Sequence, residues 1–283
     1  MRRRMQLLVI VLVAMLAMLS LMPAAAQDEA VLNVAWPYQV PPTGHFNQFA
    51  SNQINMGIYW DLFNPPLAVL IWSENTYEGM AADSFGYDAD GNYTVTLKSG
   101  YTWSDGSPLS ADDLVATFNL FRLRGDAVWS ALTGIEKMDD MTVKFLMDEP
   151  STLAERRILT SNLRPASDYG DLGNRAAEVV ASGATNADDS WKSLLNELTE
   201  YRPEAFVSAG PFVLDPASIT EANATANLNP GGIGADTTKF TKVVLWNGET
   251  EVVTPLVANG ELWYITHGIP PTTEQQFTEL GID

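Results

Sequence analysis

The chain reads as an α/β protein on three observations. Short apolar runs of strand character recur along its 283 residues: Val31 to Trp36 (VLNVAW), Met141 to Met147 (MTVKFLM) and Lys242 to Trp246 (KVVLW). Between them lie segments whose apolar side chains return at helical spacing, such as Leu114, Phe118 and Phe121, or Trp191, Leu194, Leu195, Leu198 and Tyr201. A composition of 46% hydrophobic and 18% charged residues is that of a folded globular chain. Strands separated by helices predict a layered α/β arrangement.

The first 26 residues stand apart. Arg2, Arg3 and Arg4 form a basic start, LLVIVLVAMLAMLSLM is an apolar stretch too short for a bilayer span of about 20 residues, and Pro23 precedes Ala24, Ala25 and Ala26. This is a secretory signal pattern with cleavage expected after Ala26, which places the body outside the cytoplasm. Without cysteine the fold has neither disulfides nor a lipid-modified cysteine behind the signal. The net charge of −19 repels nucleic acid and anionic lipid, and removal of the three signal arginines makes it more negative.

After the first strand, PYQVPPTGHFNQF holds three prolines and one glycine among Tyr38, His45, Phe46 and Phe49. Such a loop either binds something or folds back as an apolar plug. Ile58 to Trp72 is broken by Asp61, Asn64 and Pro65-Pro66, so a short helix followed by a strand is expected there. Ser84 to Tyr87 and Tyr93 to Lys98 flank Asp88-Ala89-Asp90-Gly91-Asn92, and the alternation of Tyr93, Val95 and Leu97 makes a β-hairpin. The aspartates serve the turn; an EF-hand would need a glutamate where Ser99 stands.

YTWSDGSPL, Tyr101 to Leu109, puts a hydroxyl and a carboxylate side by side but reads as a turn leading into a helix capped at Ser110, with Trp103 packed beneath it. Asp112 and Asp113 are then helix-start residues before they are acid/base candidates. A helix is expected over Asp188 to Tyr201, strands at Gly210 to Leu214 and Lys242 to Trp246, a helix over Val253 to Asn259 and a strand-like Leu262 to Thr266. Gly170 to Asp189 and Ile219 to Thr238, rich in Ala, Asn, Asp and Gly, read as surface excursions. No internal repeat is present.

Catalytic signatures are missing. His45 and His267 are the two histidines and neither sits at metal-ligand spacing, so no metal and no cofactor are expected. There is no GxSxG elbow and no cysteine nucleophile. In PGGIGAD, Pro230 to Asp236, no strand leads into the glycines and no GK[ST] follows, so loop flexibility is the expected reason for them. A carboxylate pair of glycosidase type needs no motif and stays open.

Taken in order, Ala81-Ala82-Asp83-Ser84-Phe85 and DADGNYTVTLKSGYTWSDGSPLSADDLVATFNLF, Asp88 to Phe121, resemble the bacterial extracellular solute-binding proteins of family 5, the oligopeptide and dipeptide receptors of ABC importers. Ser208-Ala209-Gly210-Pro211-Phe212 resembles that family's G-T-G-P-[YF] segment, Asn229-Pro230 its N-P, and Val257-Ala258-Asn259-Gly260-Glu261 its G-E-I-D segment. The match runs through nearly all of the chain after the signal. Ala209, Gly231-Gly232 and Trp263 depart from the pattern and bear on ligand chemistry more than on fold.

The resemblance implies a type II periplasmic-binding-protein fold of two lobes. Residues 27–283 would be the N-terminal portion of lobe one, with about 75–170 as an inserted α+β subdomain holding the hairpin. Members are roughly twice as long, so the second lobe is expected to be missing from this sequence. The implied function is a non-catalytic, monomeric receptor that captures peptides or oligosaccharides and delivers them to a membrane permease. Ligand contacts carried over from the resemblance fall on Trp36, Tyr38, His45, Phe46 and Asn47, then Tyr264, Thr266 and His267; each has a competing role as a packed core residue. Eight tryptophans suit stacking on sugar rings as well as packing a core. A secreted acidic hydrolase and a signal-anchored sensor or adhesion module are the alternatives.

Overall fold

The computed structural model describes residues 30–36 and 44–282. The signal pattern and most of the proline loop, Tyr38 included, lie outside the described residues. Among the described residues ten strands and seven α-helices follow one another: β1 Val31–Trp36, α1 Trp60–Phe63, β2 Ala68–Ile71, β3 Thr76–Gly79, β4 Ala82–Tyr87, β5 Tyr93–Leu97, α2 Ala111–Arg124, β6 Gly134–Lys137, β7 Thr142–Leu146, α3 Thr152–Leu159, α4 Ala166–Ala181, α5 Asp189–Glu200, β8 Phe212–Leu214, β9 Asn223–Leu228, β10 Lys242–Asn247, α6 Thr250–Ala258 and α7 Pro271–Glu279. They build two four-stranded sheets, ordered β1-β10-β9-β8 and β4-β5-β7-β6, and the small pair β2-β3.

The second sheet is antiparallel throughout. Its hairpin turn is tied by Asp88, whose Oδ1 accepts from the Asp90 and Asn92 amides at 3.0 and 2.9 Å while Oδ2 meets Lys144 at 2.9 Å. Tyr93, Val95 and Leu97 point into the largest core, as their alternation predicts, and Trp103 joins them. Helix α2 lies over this sheet, with Phe118 edge-on to Phe145 at 4.6 Å. The Asp113 carboxylate accepts from the Ser110 amide at 2.7 Å and from the Ala166 amide, opening α4, at the same distance. Burial pushes Asp113 up to about 6, against those two amides and the Trp103 indole. That indole N–H is turned towards the carboxylate without closing a hydrogen bond of its own.

Two expected surface excursions are structural elements instead. Gly170 to Asp189 contributes most of α4, which buries Tyr169, Leu172, Gly173 and Ala176. Its small residues sit where α4 crosses α2: a Cβ at Gly173 would lie 2.7 Å from the Ala116 Cα. Ile219 to Thr238 contains β9, an interior strand. Its buried residues, Ala224 and Ala226, are small because Phe63, Phe206 and Phe212 share the core they face. Leu262 to Thr266, read as strand-like, forms a single bridge, Tyr264 to Val34, rather than a strand.

Gly231 and Gly232 of PGGIGAD correct a further expectation, because close packing and not flexibility requires them. A Cβ on Gly232 would fall 1.9 Å from the Gly210 carbonyl oxygen, and one on Gly210 would fall 2.4 Å from that of Leu62. Around them the backbone is laced together. Thr102 N donates to Gly231 O at 2.9 Å, Ile233 N to Ala209 O at 2.8 Å, and Ser104 N to Ser208 O at 2.8 Å. The Asn229 amide reaches Gly210 O at 3.0 Å, and the Ser104 hydroxyl takes the Ser208 amide at 3.0 Å. Asp105 is held by Ser107 and Ser167. The turn Tyr101 to Leu109 is therefore a joint between the two sheets' surroundings.

Candidate ligand-binding site

Strands β1 and β10 form the parallel pair of the first sheet, in register from Val31–Lys242 to Trp36–Asn247. A third length of backbone lies along the other edge of β1: Trp263 N donates to Asn33 O at 3.1 Å and Ala35 N to Tyr264 O at 2.9 Å. All three run the same way, so their carboxyl ends meet at one rim. In open α/β sheets that rim is where ligands bind, because chain reversals leave a crevice there.

Thr266 and His267 lie at this rim. The Ala35 carbonyl accepts from the Tyr59 hydroxyl at 2.5 Å and from the Thr266 hydroxyl at 3.4 Å. Burial, opposed by Thr266 and reinforced by Tyr264, pushes Tyr59 up to about 12, so it stays a neutral donor. Both ring nitrogens of His267 are buried and lack a hydrogen-bond partner. Earlier in the same run, alongside Asn33 and Val34 in the middle of β1, Trp263 and Tyr264 are 62% and 55% exposed, side chains of a size that folding ordinarily buries, and the Trp263 indole donates to Gly260 O at 3.3 Å. The exposed rings of Trp263 and Tyr264 offer apolar surface suited to a flat or extended solute, while the His267 imidazole lies beneath the surface at the end of the run.

The other expected residues are placed differently. Trp36 ends β1 at the same rim. The His45 ring is used on both sides, Nε2 with Ser51 O at 2.9 Å and Nδ1 with the Asn47 amide at 3.2 Å. Phe46 packs against Phe206 at 5.9 Å. Asn47 is wholly buried; its Nδ2 donates to Leu198 O at 2.6 Å and Tyr201 O at 3.0 Å, and its Oδ1 takes the Phe49 amide at 2.9 Å. Of the three, Asn47 fastens its segment to the end of α5, while His45 ties that segment to Ser51 and Phe46 packs it on Phe206. Tyr59 and the exposure of Trp263 escaped the sequence reading; the signal for the latter was its substitution for an acidic residue after Gly260-Glu261.

Three comparisons bear on this arrangement. A model of the bacterial extracellular solute-binding proteins, family 5 (Middle), matches residues 76–282. A search of curated proteins gives no match. Among solved structures, the chain is similar to a mannohexaose-bound periplasmic oligopeptide-binding protein of an oligopeptide ABC transporter from Thermotoga maritima. The TM-score is 0.69 at 21% identity, over 90% of this chain and 44% of that one. It is also similar to NikA from Brucella suis in complex with Fe(III)-EDTA (TM-score 0.64, 17% identity, 89% and 47% covered). A third is the oligopeptide-binding protein AppA from Bacillus subtilis in complex with a nonapeptide (0.61, 17%, 88% and 46%).

The chain thus has the fold of these binding proteins and spans a little under half of their length. No helix among the described residues is long and apolar enough to cross a membrane. The matched stretch takes in the hairpin, YTWSDGSPL and the Ser208 to Phe212 joint. This chain belongs to the bacterial extracellular solute-binding proteins of family 5.

Proposed function

We propose that this chain is the capturing lobe of an extracytoplasmic receptor serving an ABC importer, one that takes a peptide or an oligosaccharide and hands it to a membrane permease. The observation that carries this reading is the parallel arrangement of β1, β10 and the 263–267 run, with Trp263 and Tyr264 exposed along it and Thr266 and His267 at its end, the His267 ring nitrogens buried without a partner. Trp36, Tyr38, Tyr264, Thr266 and His267 are the solute contacts of this proposal, with Trp263 added. His45, Phe46 and Asn47 are taken out of the contact set, because their side chains are engaged by Ser51, Phe206 and the end of α5. The β4-β5-β7-β6 sheet with its helices, about 75–170, is read as the inserted subdomain. No catalysis is proposed.

Receptors of this kind work by population shift, since a solute touching two lobes favours the closed form. One lobe offers half of those contacts and binds weakly. Titration with mannohexaose and with a nonapeptide, followed by indole emission, tests the reading: millimolar binding of either, lost in Trp263→Ala, is expected. Submicromolar affinity would overturn the half-site argument, and binding unchanged by Trp263→Ala would remove the rim as the site.

A further inference from the structure

The core of the hairpin sheet breaks to the surface along edge strand β4. Trp72, at the tip of the β2-β3 pair, is 72% exposed and belongs to no apolar cluster among the described residues, so the packing of the fold does not account for its ring. The Arg156 guanidinium lies over it at 4.6 Å. That contact holds one face of the indole and leaves the other to solvent. One helical turn before Arg156, on the same side of α3, Leu153 is 57% exposed. Tyr87, also exposed, donates through its hydroxyl to the carbonyl of Ser151, the residue before α3, at 2.8 Å.

Half-buried rings join these points. Phe85 and Tyr87 lie two apart on β4 and so share a face, and Tyr77 of β3 stands edge-on to Phe85 at 6.4 Å. Tyr87 is itself edge-on to buried Tyr93 at 4.8 Å, which fixes its ring. Burial, then the nearby Glu155 carboxylate, raise both Tyr77 and Tyr87 above the usual phenol range, so both stay neutral. Glu155 accepts from the Tyr93 hydroxyl through Oε1 at 3.1 Å. Its Oε2 and the Arg156 guanidinium have no hydrogen-bond partner among the described residues, so one acceptor and one donor of cancelling charge stand free beside fixed rings.

At about 150–250 Å² for a whole aromatic side chain, the open parts of Trp72, Leu153 and Tyr87 come to about 350 Å². A patch of that size on a monomer is often functional. It is under half of the ~800 Å² that a stable protein partner covers. The net charge of −19 turns away anionic polymers and anionic lipid, and Glu155 beside Arg156 leaves the patch itself without a preference for charge. Flat apolar rings next to a free acceptor and a free donor match a ligand with apolar faces and hydroxyl edges. We propose that Trp72, Tyr87 and Leu153 form a second binding site, for a neutral oligosaccharide of flat, equatorially linked rings. Its sugar faces stack on the open side of Trp72 and on Tyr87, and Glu155 and Arg156 take its hydroxyls. The site shares no residue with the 263–267 run, so it stands apart from the solute-capture reading.

The test is a titration of the ¹⁵N-labelled protein with cellotetraose, followed at the Trp72 indole N–H, assigned by its absence from Trp72→Ala, and at the Tyr87 amide. Cellotetraose is expected to shift both wild-type resonances. Trp72 lies outside the apolar clusters, so Trp72→Ala keeps the fold, and its Tyr87 amide should report binding about tenfold weaker. Arg156→Gln, which frees the indole, and Glu155→Gln should each weaken the sugar severalfold, whereas Trp263→Ala should leave the response as it is. Wild-type resonances unmoved by millimolar sugar overturn the site, whatever the variants do, and so does a stronger response to tetragalacturonic acid. A Trp72 shift that grows with protein concentration before sugar is added gives the patch to a second copy and overturns it as well. Loss of the mannohexaose response at Trp263 with the Trp72 response intact would sink the capture reading alone.

Discussion

Truncation of Trp103 to alanine tests whether YTWSDGSPL is scaffold. The indole is 1% exposed and joins the cluster that also holds Tyr93, Leu114 and Phe118. A buried tryptophan removes up to about 250 Å² from water, worth about 5 kcal/mol at 25 cal/mol per Å² after a share is left for the remaining methyl. Against this, the mutation relieves an indole N–H that is buried without a hydrogen bond, a saving of about 1–2 kcal/mol. The net expectation is a loss of about 3–4 kcal/mol, within the span of large aromatic truncations. Urea unfolding with an unchanged slope measures it. Trp103→Phe keeps most of the apolar area, discards the orphan donor and should cost about 1 kcal/mol or less. A Trp103→Ala protein as stable as wild type, with solute binding lost, would refute the scaffold assignment and return the segment to the list of sites.

Three further outcomes follow from named contacts. Asp113 is raised from 3.8 to about 6, so the fold favours its protonated form: its contribution to stability is fullest below pH 4 and is lost as pH rises through 6, about 3 kcal/mol in all. Asp113→Asn should therefore flatten the wild-type pH dependence of unfolding free energy between pH 4 and 7, and a wild-type-minus-variant difference constant over that window would exclude the effect. Asn47→Ala strands the Leu198 and Tyr201 carbonyls and the Phe49 amide, and should cost about 2–4 kcal/mol by denaturant titration; solute affinity lost without destabilisation would make Asn47 a contact instead. Gly173→Ala drives a methyl to within 2.7 Å of the Ala116 Cα, and a melting temperature unchanged by it would disprove the close crossing of α2 and α4, for which a loss of about 1–3 kcal/mol is expected.

What could be read from the sequence was whatever carries a strong period or a turn signature. Tyr93, Val95 and Leu97 alternate, Leu114, Phe118 and Phe121 recur at helical spacing, and both elements stand where expected. Strand β9 and helix α4 were hidden because alanine and glycine supply the buried positions, and small residues give a weak hydrophobic signal although Tyr169, Leu172, Gly173 and Ala176 do keep the helical spacing. Gly231 and Gly232 read as flexible for a related reason: a sequence shows that a Cβ is missing, and only the fold shows what occupies its place. At the site, the resemblance pointed to both loops, yet Asn47 and Tyr264 are equally polar or aromatic on paper. Partners 151 and 154 residues away in the chain decide that Asn47 faces inward.

The joint at Ser104, Ser208, Gly210, Asn229 and Gly232 has a mechanical consequence. Main-chain atoms make most of its bonds, and the absent side chains of Gly210 and Gly232 let the strands touch. Twisting one sheet against the other would have to stretch these bonds together, so the lobe is expected to resist torsion as one body. Spin labels on Thr94 and Lys242 should report a single separation with and without solute.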